Sequence, residues 1–135
     1  MHNSIAAELR HPHPQVHATR GYIAHSVTAL DRRGIALDRA WLDPFNPVDA
    51  TIVLSDGTAL VWSEDTGWTR GTYVSGEQGL RTEYTDGVAL GGGVLLDPDH
   101  LAELVATGRT EAPFAPREIG NGNDGLFYQL AGFNN

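Results

Sequence analysis

The stretch from Val48 to Val74, V-D-A-T-I-V-L-S-D-G-T-A-L-V-W-S-E-D-T-G-W-T-R-G-T-Y-V, decides the fold of this chain. It is broken at Asp56-Gly57 and again at Asp65-Thr66-Gly67, so it reads as two consecutive β-hairpins. Asp56-Gly57 fits a two-residue type I′ loop, which needs positive φ at both positions. That loop pairs Ser55 with Thr58, Leu54 with Ala59 and Ile52 with Val61. The second turn fits a three-residue loop with Gly67 left-handed, so that Glu64 faces Trp68, Trp62 faces Arg70 and Leu60 faces Thr72.

Side chains alternate along a strand, and this register therefore sorts them into two faces. Val48, Ala50, Ile52, Leu54, Ala59, Val61 and Tyr73 form one, the expected core. Thr51, Val53, Leu60, Trp62, Trp68, Arg70, Thr72 and Val74 form the other, with the Arg70 guanidinium placed over the Trp62 indole. An uncovered Trp exposes on the order of 150–250 Å². Joined with Val53, Leu60 and Val74, the patch exceeds the few hundred Å² that a monomer tolerates. Three covers fit: the chain's own tail (Leu126–Phe133) or the Trp41 strand, a second subunit or another protein, or a small apolar ligand.

Upstream, residues 16–33 carry Ile23, Val27 and Leu30 at helical spacing, with Gly34 placed to end the helix and Arg32 and Arg33 in its last turn. Asn3 or Ser4 suits the start of a short helix before the breaker His11-Pro12-His13-Pro14. Residues 37–42 read as a strand, and Asp43-Pro44-Phe45-Asn46-Pro47 as a connection. Downstream, Leu80–Thr85 is a further strand, interrupted after it by Asp86-Gly87 and by Gly91-Gly92-Gly93. Asp97-Pro98 opens a second helix with an acceptor for free N–H groups and a residue that needs no N–H of its own. Leu101, Leu104 and Val105 form its stripe and Gly108 ends it. Pro113 and Pro116 then mark a linker, and Leu126–Leu130 with Phe133 is apolar again. No internal repeat is present.

With 135 residues and 41% hydrophobic content the chain suits one domain with a real core. It has no cysteine, which excludes disulfides, thiol catalysis and cysteine zinc sites. All nine cations are Arg, consistent with a GC-rich genome; without lysine there is no Schiff-base chemistry and no Walker-type phosphate site. A formal charge of −8 with no basic patch opposes nucleic-acid binding. The first ten residues do not resemble a signal peptide, and no apolar run approaches the about 18 residues of a membrane span. A cytoplasmic protein is expected.

The candidate chemistry is thin. His11, His13 and His17 are weak metal candidates, since a Pro-interrupted arm supplies neither rigid ligands nor their supporting shell. The Gly91–Gly93 run is not followed by a phosphate-loop lysine, and Asp97 and Asp99 hold the helix N-terminus that an anion needs. Glu64 and Asp65 at a hairpin tip are expected to be wet, unlike a general acid. His25 and His100 read as surface residues, with no G-x-S-x-G turn to make a triad. No catalytic residue and no cofactor is assigned.

The segment G-Y-I-A-H-S-V-T-A-L-D-R-R-G-I-A-L, the D-x-P element at Asp43–Phe45 and the hairpin at Leu60, Trp62, Glu64, Gly67 and Trp68 together resemble a family of small uncharacterised actinomycete proteins. Its pattern is a helix ending in A-L-x-x-x-G, a strand, and an L-x-W-x-E-x-x-G-W hairpin. Gly92, Gly93, Val94, Leu95 and Pro98 resemble its later G-G-x-V-L-x-x-P step. The resemblance spans about residues 21–108; it implies an actinobacterial source and carries no activity, cofactor or site.

The expected fold is α+β: an antiparallel meander of four or five strands with an N-terminal and a C-terminal helix packed on one face. Residues 1–14 form an arm or short helix, 15–108 the domain, and 109–135 an extension that packs back on the sheet. The expected function is a non-catalytic interaction or regulatory module, homodimeric or bound to another protein. It would act through the face of Val53, Leu60, Trp62, Trp68, Arg70 and Val74. The alternative is a small ligand-binding protein or hydrolase with a pocket between sheet and helices, where His25 or His100 lies near Glu83 or Asp99.

Overall fold

A computed structural model of the chain describes residues 19–42, 49–77, 80–114, 130 and 133. The order of elements is α1 (Arg20–Arg32), β1 (Leu37–Leu42), β2 (Asp49–Leu54), β3 (Thr58–Ser63), β4 (Gly67–Glu77), β5 (Leu80–Ala89) and α2 (Pro98–Thr107). The five strands form one antiparallel sheet in sequence order, β1-β2-β3-β4-β5. This is the α+β meander that the turn chemistry predicts. The arm with His11, His13 and His17, the short helix at Asn3 or Ser4, the Pro44–Pro47 connection and the segment 121–129 lie outside the described residues.

Local signals end the helices where the sequence places them. At the end of α1, Ile35 N–H donates to Leu30 O and Gly34 N–H to Asp31 O, a Schellman closure of the last turn. At the start of α2, one Asp97 carboxylate oxygen accepts from the N–H groups of Asp99 (3.1 Å) and His100 (3.2 Å). Pro98 sits next, where no donor is lost.

The first hairpin departs from the expected register. Ile52 pairs with Leu60 and Ala50 with Trp62, not Ile52 with Val61. The loop therefore has three residues, Ser55-Asp56-Gly57. Only Gly57 (φ 92°) takes positive φ, whereas a type I′ loop requires it at Asp56 too. Asp56 instead turns its carboxylate onto the Thr58 N–H (2.9 Å) and hydroxyl (2.7 Å). A shift of one residue moves every β2 side chain to the opposite face. In the second hairpin Trp62 pairs with Trp68 and Leu60 with Arg70, a shift of two residues that leaves the faces of β3 and β4 unchanged.

The consequence is a correction to the expected faces. Ala50, Ile52 and Leu54 join Leu60, Trp62 and Trp68 on the side that α1 and α2 cover, and all six are buried in the main core. Tyr22 of α1 is wedged against both indoles, with ring centroids 5.9 Å from Trp62 and 6.3 Å from Trp68. Trp68 Nε1–H donates to the Tyr22 hydroxyl (3.0 Å), which donates to Leu96 O (2.5 Å). Trp62 Nε1–H donates to Val94 O at 2.8 Å. Burying each indole contributes about 4–6 kcal/mol of area-based stabilisation. Leu130 is buried in the same core, and the Phe133 ring meets Tyr22 edge-on at 5.1 Å.

The outer face carries Arg39, Trp41, Val53, Ala59 and Val61. Its cover is the far end of the long β4–β5 ribbon, which curls across it. The Trp41 ring meets Tyr73 at 6.4 Å, Arg39 donates to the Tyr73 hydroxyl (2.8 Å), and the Thr51 and Thr82 hydroxyls share a 2.6 Å hydrogen bond. Arg81 pairs with the buried Asp49. Trp41, Val53 and Ala59 are buried as a result.

Candidate functional site

The face expected to dock a partner is not a surface. Val53, Leu60, Trp62 and Trp68 are at most 3% exposed. Arg70 does not lie over Trp62. Opposite Leu60, it reaches across the base of the sheet and donates to Asp56 Oδ2 (3.1 Å), Val105 O (3.2 Å) and Thr58 Oγ1 (3.4 Å). The cation–π contact forms on the outer face instead, with Arg39 over Trp41 at 5.0 Å. Of the six expected interface residues only Val74 is open to solvent, at 54%.

Val74 has company that sequence reasoning missed. Among the described residues the exposed large hydrophobics are Val74, Leu80 (59%) and Val88 (54%), and all three stand on the β4–β5 ribbon. The ribbon strands have 11 and 10 residues against six for each of β1, β2 and β3, so its far end extends past the strands that α1 and α2 cover. Val74 and Leu80 line one depression of about 550 Å³ with Tyr73, Arg81 and Glu83.

β5 is the sheet edge, yet it is poorly shaped for strand addition. The β4–β5 ladder carries three register shifts, and Asp86 takes positive φ (56°) beside Gly87. Bulges of this kind twist an edge away from a flat template. The ribbon therefore offers its side chains rather than a flat row of backbone groups.

The alternative pairing of His25 or His100 with Glu83 or Asp99 is not assembled. His25 lies exposed at the rim of a shallow site beside Phe133 (5.7 Å), and the described lining there has no carboxylate. Glu83 accepts from Ser75 at 3.3 Å. His100 Nε2 lies 2.5 Å from Glu111, not against Asp99. That contact fastens a strap: Glu111 N–H donates to Leu90 O (2.7 Å) and Gly92 N–H to Ala112 O (3.0 Å). Glu64 is buried at its turn rather than wet, and Asp65 accepts from Ser63. Among the described residues no group of three or more His, Asp or Glu side chains is placed to hold a metal ion, and no helix is long and apolar enough to cross a membrane.

A pocket between the sheet and α2 does exist, and neither histidine lines it. It has about 270 Å³, floored by Val88, Leu90 and Leu104 and walled by Thr58, Arg70 and Thr72. Asp56 at its edge is held below the usual carboxylate range, first by the Thr58 hydroxyl and further by Arg70.

A family model, described as a family of unknown function (DUF6292), matches residues 22–107. The chain belongs to that family. In DUF6292 terms the matched stretch starts at Tyr22, the wedge between the indoles, and ends with the last residue of α2, so it contains the whole sheet, α2 and all of α1 but its first two residues. No curated protein and no solved structure matches the chain.

Proposed function

We propose that this chain is a non-catalytic interaction module that pairs with a second copy of itself through the face of the β4–β5 ribbon. The observation that carries the reading is that the described exposed large hydrophobics, Val74, Leu80 and Val88, all fall on this one element. Charge favours a second copy at the same place. The described ribbon residues hold Arg70 and Arg81 against Glu77, Glu83 and Asp86, a balance of −1 in a chain of −8. Two copies of an acidic protein meet there with little mutual repulsion.

Size sets the strength. A ten-residue ribbon of two strands is about 33 Å long and about 10 Å wide. Face-on pairing then buries roughly 700 Å² in total, below the 1,200 Å² of a standard interface, so the dimer is weak and reversible. The arginine-only cation content and the L-x-W-x-E-x-x-G-W hairpin support an actinomycete source.

Sedimentation of the full chain across about 10 μM to 1 mM tests this. The expected result is self-association with a midpoint in the upper micromolar range. It is lost in the triple variant Val74→Thr, Leu80→Thr, Val88→Thr, whose unfolding midpoint stays close to the parent because the three side chains are exposed. A parent chain that stays monomeric throughout, or a triple variant that associates equally well, overturns the reading.

A further inference from the structure

The pocket beside Arg70 goes beyond this reading; it shares Val88 with the ribbon face but neither Val74 nor Leu80. Its floor is apolar, from Val88, Leu90 and Leu104; its inner cation is the half-buried Arg70, whose side chain is 27% exposed, and a second cation of the lining, the exposed Arg109, is paired with Glu103. Arg70 makes three hydrogen bonds of 3.1–3.4 Å, one of them to the carboxylate of Asp56. Asp56 is a turn residue whose side chain is 54% exposed, and its other carboxylate oxygen keeps the Thr58 N–H and hydroxyl when Arg70 is taken by a ligand. An exposed ion pair of this kind adds little stability and gives way readily to a competing carboxylate. The pocket thus places an apolar floor next to a guanidinium whose present acceptor is a replaceable carboxylate.

We infer that this pocket takes a small monocarboxylic acid with a short apolar body, its carboxylate on Arg70 in place of that of Asp56. A planar carboxylate matches the guanidinium fork, and the apolar body covers Leu90 and Leu104. The volume of about 270 Å³ equals the liquid share of about nine waters, which suits an acid of roughly eight or nine non-hydrogen atoms. Charge narrows the class to monoanions. Asp86 also lines the pocket, and the carbonyl end of α2 points its partial negative charge here, with Val105 O already on Arg70. Arg109 is engaged by Glu103, so one guanidinium is open to a ligand and a single carboxylate matches its charge.

The test is a titration of the full chain with hexanoate, hexanamide and inorganic phosphate, read by backbone amide shifts. Hexanoate is expected to move the amides of Arg70, Thr72, Val88 and Gly108. Asp56→Asn, which removes the internal competitor and keeps a turn-forming side chain, is expected to tighten hexanoate two- to fivefold. A gain in binding is a result that a misfolded variant does not give. Arg70→Gln is expected to lose hexanoate binding. Hexanamide binding as tightly as hexanoate, phosphate binding more tightly, no gain in Asp56→Asn, or shifts confined to other parts of the molecule each overturn the inference.

Discussion

Replacing Tyr22 by Phe removes one oxygen from the centre of the core and leaves the ring in place. That oxygen accepts from Trp68 Nε1–H at 3.0 Å and donates to Leu96 O at 2.5 Å, and Tyr22 and Trp68 are both fully buried. The substitution strands an indole N–H and a backbone carbonyl where water does not reach. A buried group left without its partner costs about 1–3 kcal/mol, partly offset because the phenol itself no longer has to be desolvated. The expected loss is about 2–4 kcal/mol, or roughly 10 °C in melting temperature for a chain of this size. Urea unfolding followed by far-UV dichroism measures it as a lower midpoint at unchanged slope. Tyr73→Phe is the control, because the Tyr73 hydroxyl serves a half-exposed site and its loss costs well under half as much. A Tyr22→Phe cost below about 0.5 kcal/mol refutes the claim that this hydroxyl ties the indoles to the α1 side of the core.

The same hydroxyl gives the protein an alkaline limit. Burial is the main cause that pushes the Tyr22 phenol above its ordinary value of 10.0, and the Trp68 N–H pulls it only part of the way back. The folded chain keeps this proton where the unfolded chain releases it. Its contribution to stability is therefore complete below pH 10 and is lost as pH rises above it, at up to about 1.4 kcal/mol per pH unit. Tyr22→Phe removes this component, so the stability of that variant declines less steeply above pH 10.

Two further substitutions test the local devices. Gly91→Ala places a methyl against the Glu111 and Ala112 carbonyls at a backbone with φ 76°, so it is expected to cost at least about 2 kcal/mol and to release the strap, seen as faster amide exchange at Glu111. Gly34→Ala, with φ 84° but open space around it, is expected to cost only about 1 kcal/mol; equal costs sink the strap argument. Asp97→Ala is expected to lose about 1 kcal/mol in thermal unfolding by uncapping α2, and Asp97→Ser to recover most of it.

The element order, both helix ends and the meander were legible from short-range chemistry. Gly34, Asp97-Pro98, Gly57 and Gly67 act within a few residues of themselves, and the structure uses each as its local physics dictates. The partition of the two faces was not legible, because it depends on one residue of loop length. Asp56-Gly57 satisfies both a two-residue and a three-residue loop, and the dipeptide does not choose between them. The ribbon was also hidden, since nothing within residues 72–89 says that their far half folds over Trp41. That contact depends on Tyr73, Thr82 and Arg81 meeting residues more than 30 positions away. The Arg70 pocket was hidden for the same reason.

The choice of loop follows from magnitudes. The two-residue loop requires positive φ at Asp56, a cost of the order of 1–2 kcal/mol that an Asp tolerates well, so turn energetics alone decide nothing. Burial decides. In the three-residue register Ala50, Ile52 and Leu54 share a face with Leu60 and both indoles, and one apolar layer meets Tyr22 and the leucines of α1 and α2. In the other register the helices cover either the β2 side chains or the indoles, never both. The excluded set then faces the thinner, more polar cover of Thr82, Arg81 and Tyr84. With about 4–6 kcal/mol at stake for each indole, the helix-covered face claims both, and the turn conforms. What is left outside is the far half of the β4–β5 ribbon, with Val74 and Leu80. The search for a partner therefore belongs on this ribbon, at Val74, Leu80 and Val88, rather than at the tryptophans.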